Sequence, residues 1–159
     1  MRDLPLLSSL AFGESASLTD AVLKTLGLNS FMVVIIVLAN HCRVRSFNFG
    51  YLVVYANVAI LGLFAGTDSF SGGVSAYSLE GLLLFLRVGL LEFLSYLLMC
   101  AATVPLTMYY ADAWRGEEFQ RKRSFREVTL SRTELGMLVV AAVLLVTAAL
   151  GEWWTLLPT

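Results

Sequence analysis

Charge is what this chain has least of. Of its 159 residues only 14% are Asp, Glu, Lys or Arg, whereas 58% are apolar, and the mean hydropathy is +0.76. A water-soluble domain of this size has too small a core to hide so much apolar surface. A formal net charge of −1 supplies no basic excess for gripping nucleic acid. Cysteine is nearly missing: Cys42 and Cys100 are too few for a disulfide framework and read as free, buried thiols. The single histidine, His41, adjoins Cys42 but lacks a second ligand pair, so neither metal nor cofactor is expected. Equally missing are a Ser/His/Asp or Cys/His arrangement, a phosphate-cradling glycine loop, and paired carboxylates on one helix turn. An enzyme is not expected.

What remains is a series of apolar runs separated by short polar segments. In lipid, helices satisfy their own backbone polar groups, so the pattern predicts an all-α polytopic membrane protein. We read residues 1–159 as one membrane domain with about four transmembrane helices, over 18–39, 48–66, 80–104 and 133–151. The N-terminal segment 1–17 is broken by Pro5 and two serines, and a cleavable signal peptide is not expected. "SLTDAVLKTLGL" is amphipathic, with a polar face of Thr19, Asp20 and Lys24 behind a Ser17 cap. The following "NSFMVVIIVLAN" is too short alone to cross roughly 30 Å of hydrocarbon. Leu18 to Ala39 is therefore either one span with its polar flank against protein, the favoured reading, or an amphipathic half followed by a re-entrant one. Thr67 to Ser78 is a Gly- and Ser-rich loop without positive charge. Leu79 to Ala111 exceeds one untilted span, and Pro105 marks a kink or exit near its end.

The charges that are present are unevenly placed. The loop 112–132 holds six of the eleven basic residues: Arg115, Arg121, Lys122, Arg123, Arg126 and Arg132. Its glutamates weigh little under the positive-inside rule, so the loop is assigned to the cytoplasm. Alternation puts Arg43 and Arg45 inside too, with Asp68, Glu80, Glu152 and the C-terminus outside. Trp153 and Trp154 then suit the outer interface. A basic loop also fits anionic lipid or a cytoplasmic partner, although setting the orientation is its simplest role.

Within "LRVGLLEFLSY", Leu86 to Tyr96, an arginine and a glutamate interrupt an apolar run. Arg87 lies near the outer end, where it can snorkel towards Glu80, two turns away. Glu92 falls near mid-span and should face protein or a watery cavity. Helical spacing extends from it a mildly polar stripe of Ser95, Tyr96, Met99 and Thr103. Asn57 sits near the middle of the second span, and its amide is expected to donate to Glu92. That pair, Asn57 and Glu92, is either polar glue between helices or part of an ion or proton path. Packing surfaces are expected at Gly62–Gly66 with Ala59 and Tyr55, and at Ala141, Ala142, Thr147, Ala148, Ala149 and Gly151.

The segments "NHCR" (Asn40 to Arg43), "YANVAILG" (Tyr55 to Gly62), "GLLEF" (Gly89 to Phe93) and "AALGEWWTLLP" (Ala148 to Pro158) together resemble the stage II sporulation protein M family of prokaryotic membrane proteins. The resemblance covers roughly Ser30 to Pro158. It departs from the family at His41 and Val58, in the short gap from Asn40 to Asn57, and in lacking the usual extra amino-terminal span. It implies a prokaryotic plasma (inner) membrane location, no established enzymatic activity, and Asn40, Asn57, Glu92 and Glu152 as motif positions. Sporulation members of the family resemble scaffolds that recruit other proteins.

Two functional classes follow. One is a noncatalytic membrane subunit or scaffold, packed against other membrane proteins or further copies of itself, with the basic loop available to a cytoplasmic partner. The other is an oligomeric transporter or permease-like export component, with Asn57 and Glu92 lining its path. The discriminating feature is whether Glu92 is sealed by helix packing or faces a continuous polar cavity.

Overall fold

The computed structural model describes residues 18–66, 78–114 and 118–156. The chain is mostly helical, at 70%, and its helices form four rods. Helix α1 spans Leu18–Ala39 without interruption, and α2 spans Phe49–Gly66. The third rod joins α3 (Leu79–Leu84), a π-helical turn (Phe85–Gly89) and α4 (Leu90–Thr103); α5 spans Arg132–Leu156. Gly81–Leu106, of 26 residues, and Arg132–Gly151, of 20 residues, are long and apolar enough to cross a membrane. Shorter apolar stretches, Leu23–Ala39 and Phe49–Ile60, lie in α1 and α2.

Local chemistry accounts for the helix ends. The Ser78 hydroxyl caps α3 by accepting from the Gly81 N–H at 3.0 Å. At the start of α5, the Ser131 hydroxyl accepts from the Glu134 N–H, and the Glu134 carboxylate accepts from the Ser131 N–H. That reciprocal pair is a capping box. The third rod stops where Pro105, which lacks an N–H, converts its last turn into a 3-10 turn over Val104–Leu106. Pro105 thus marks the exit from the rod.

The all-α expectation needs one correction. Four strands, β1 (Cys42–Val44), β2 (Phe47–Asn48), β3 (Tyr109–Ala111) and β4 (Gln120–Arg121), form a sheet in the order β2-β1-β3-β4. The outer pairs are antiparallel, and the central pair β1/β3 is parallel. The cause is topological: α1 and the third rod both run towards this end, so the segments leaving them enter side by side in the same direction. Backbone bonds from Met108 and Tyr109 N–H to the His41 carbonyl, at 3.0 and 2.8 Å, begin the pairing. The sheet caps one end of the bundle and gathers the segments around Arg43 and Arg121 there.

The core joins all four rods through Ile36, Val54, Tyr96, Cys100 and Leu145. Helices α4 and α5 make the most extensive contact. Small residues permit it: Ala141, Ala148 and Ala149 are buried, and the Ser95 hydroxyl donates to the Ala141 carbonyl at 2.7 Å. Ala142 and Thr147 instead face outward, because they lie around the helix from that buried stripe. Tyr55 and Ala59 are also exposed, so they form no internal packing surface. The side chains of Gly62–Gly66 lie outside the described residues. Large apolar residues cover the outside of the bundle, among them Leu23, Phe31, Leu38, Leu52, Ile60, Val139 and Val143.

Candidate functional site

Along α4, the buried residues are Ser95, Tyr96, Met99, Cys100, Ala102 and Thr103. Their spacing of three and four puts one face of the helix against its neighbours. The stripe read from Glu92 through Ser95, Tyr96, Met99 and Thr103 therefore points inward, with Glu92 itself half-buried. Opposite lies the inner face of α1, where Asn29 and Ile36 are buried, continued by the buried Asn40 just past the end of the helix. Two polar contacts, or rungs, connect these faces.

In the first rung, the Asn29 amide nitrogen donates to the Glu92 carboxyl at 2.8 Å, while the Tyr96 hydroxyl donates to the Asn29 carbonyl oxygen at 2.8 Å. The donor that meets Glu92 is thus Asn29, where the sequence reading expected Asn57. Asn57 is placed half-buried on α2. Similar depth was an insufficient criterion, because rotation about the helix axis also decides which side chain reaches across. A sequence signal for Asn29 did exist: it stands eleven residues, or about three turns, before Asn40 on the same face.

The second rung is a knot at the sheet end. Asn40, fully buried, donates its amide to the Cys100 carbonyl at 2.8 Å and to the Thr103 hydroxyl at 2.7 Å. Thr103 passes its own proton to the Met99 carbonyl at 2.7 Å. Asn48 donates to the Thr107 hydroxyl at 2.7 Å, and Thr107 is 2.9 Å from the Asn40 carbonyl. Gly50 makes this geometry attainable, since a Cβ there would collide with the Asn40 side-chain oxygen. The first turn of α2 consequently lies directly on the Asn40 amide.

Between the two rungs the core is mainly apolar, formed by Ile36 and Val54 with Met32, Val33 and Leu97 packed alongside; the half-buried Tyr51 also packs against it, and the buried Ser95 hydroxyl is taken up by the Ala141 carbonyl. The Cys100 thiol adds only long contacts to Asn40, at 3.6 and 3.8 Å. No described buried side-chain nitrogen or oxygen lacks a hydrogen-bond partner. Chemically, this arrangement fixes α1 on α4 in register. Among the described residues, no three His, Cys, Asp or Glu side chains gather as a metal site.

Of the family-motif positions, Asn40 and Glu92 belong to separate rungs, Asn57 lies on α2, and Glu152 lies on α5 with its side chain outside those described. Arg87 is exposed on the π-helical turn, and the Glu80 side chain expected near it lies outside the described residues. In the basic loop, Arg115 lies outside the described residues. Arg121 and Arg123 donate to backbone carbonyls, Lys122 meets Asp112 at 3.6 Å, and Arg126 and Arg132 are exposed. Beside them, burial pushes the Cys42 thiol pKa up, which keeps that group a thiol near neutrality. His41 uses Nδ1 as donor to the Val37 carbonyl at 2.8 Å and stacks on Phe125 with ring centroids 6.5 Å apart. Comparison with family models, curated proteins and solved structures finds no match to the chain.

Proposed function

We propose that the chain is a noncatalytic, polytopic membrane subunit whose rigid bundle packs against partner membrane proteins. The observation that carries this reading is the pair of polar rungs separated by a mainly apolar core. Its interior polar side chains bind α1 to α4 and leave a mainly apolar layer across the route that a transported species would need. The apolar outer faces suit hydrocarbon and neighbouring helices alike. In this reading all four rods cross the bilayer, the sheet-capped end with its arginines faces the cytoplasm, and the C-terminus lies outside. The resemblance to the stage II sporulation protein M family suits the same role, because Asn40 and Glu92 serve helix assembly here. It also brings the prokaryotic plasma membrane as the proposed location.

The test is purification from the native membrane in nanodiscs, with mass spectrometry of co-purifying chains. Other membrane proteins at fixed stoichiometry are expected. A partner-free homo-oligomer that moves protons or ions, with activity abolished by Glu92→Gln, would overturn the subunit reading in favour of a carrier.

A further inference from the structure

The sheet-capped end has a composition of its own. Phe47 and Phe49 meet Trp114 with ring centroids 5.9 and 6.3 Å apart, and Phe119 meets Phe49 at 6.0 Å. Trp114 is nevertheless 61% exposed, and Phe125, at the tip of a tight turn, is 71% exposed. The described cations carried by the segments that meet at this end are Arg43, Arg45, Arg121, Lys122, Arg123, Arg126 and Arg132. The described carboxylates at this end are Asp112, Glu118, Glu127 and Glu134, and three of them are engaged within the chain. Asp112 pairs with Lys122, Glu127 accepts from the Ser124 N–H at 2.8 Å, and Glu134 closes the capping box of α5. Arg45, Arg126 and Arg132 are left exposed, so among the described residues this surface offers cations with few internal carboxylates to meet them.

Position selects the anion. Phe49 opens α2, so the ring cluster lies at the level where that helix leaves the cap. The Trp114 indole, with its polar N–H edge, prefers the boundary between acyl chains and headgroups, the wholly apolar phenylalanine rings packed with it suit the acyl side of that boundary, and cations just beyond them reach lipid phosphate. We infer that the cap is embedded in the headgroup layer, with Phe47, Phe49, Trp114 and Phe119 at the acyl boundary and Arg45, Arg126 and Arg132 binding anionic phospholipid. This rests on the membrane reading above and replaces a soluble partner as the main occupant of the basic loop. An acidic protein would be attracted by the same charge, yet would not require exposed rings at the root of α2.

The experiment uses the full chain carrying Trp153→Phe and Trp154→Phe, so that Trp114 is the sole tryptophan, in vesicles of phosphatidylcholine with or without phosphatidylglycerol. Alkaline carbonate extraction first checks insertion; loss from the membrane would refute the membrane reading itself. For inserted protein, bromine near the acyl-chain carbonyls should quench Trp114 more strongly than aqueous iodide. Native mass spectrometry should retain phosphatidylglycerol over phosphatidylcholine. Arg126→Gln with Arg132→Gln should reduce that retention by about fivefold for each cation removed, with insertion unchanged. Iodide quenching of inserted protein, with no preference for phosphatidylglycerol, would overturn the proposal and open the cap to a soluble partner.

Discussion

The two polar rungs between α1 and α4 are built from similar parts and differ in kind. The rung at the sheet end is wholly neutral: Asn40, Asn48, Thr103 and Thr107 are all buried and bonded to one another or to backbone. The other contains a carboxyl, Glu92, which is half-buried and accepts from the Asn29 amide, whose carbonyl oxygen in turn accepts from Tyr96. Asn29 and Asn40 are eleven residues apart, as are Glu92 and Thr103, so both rungs answer to one register of the two helices. A neutral, sealed rung fixes that register with buried bonds on every member, whereas the rung with the half-buried carboxyl is less enclosed and so the easier of the two to rearrange. The contrast teaches that the sheet end is the structural anchor and the Glu92 end the adjustable one.

The largest effect should come from breaking the anchor by crowding it. Gly50→Ala would drive a Cβ into the Asn40 amide, which cannot swing aside without abandoning Thr103 and Cys100. A loss of about 2–3 kcal/mol is expected in denaturant titration of the detergent-solubilised protein. Asn40→Ala should cost about 2 kcal/mol by removing two hydrogen bonds from a buried knot. Combined with Gly50→Ala it should cost clearly less than the sum, because the truncated side chain makes room for the new methyl. Additivity in that double-mutant cycle would show that Gly50 acts through something other than Asn40.

At the adjustable rung the effects should be smaller. Asn29→Leu removes the bond to Glu92 and the acceptor of Tyr96, and a loss of about 1 kcal/mol is expected, within the range of interhelical bonds in membranes. Glu92→Gln preserves an acceptor for Asn29 and should change stability by about 0.5 kcal/mol or less. If Glu92→Gln proved as damaging as Gly50→Ala, the ranking of anchor and adjustable rung would be reversed.

Much of this was legible before folding. The apolar runs located the rods, Pro105 located the end of the third one, and intervals of three and four residues from Glu92 located the inward face of α4. Local periodicity suffices for these because each depends on residues within a turn or two of one another. The strands were not legible: at two or three residues each, they carry too little alternation to register as a pattern. Nor was the π-helical turn at Phe85–Gly89, which inserts a residue into the helical count and shifts the faces on either side of it.

The sequence by itself determined the nonpolar character of the rods, the gathering of basic residues at their connections, and the face that each segment of α4 presents. Only the tertiary structure decided that Glu92 meets Asn29, that Asn40 is sealed beneath Gly50, and that β1 and β3 lie parallel. The physical reason is range. Helical periodicity is set by neighbours a few residues away, whereas Asn29 and Glu92 are separated by 63 residues and meet through the rotation and axial offset of two packed helices.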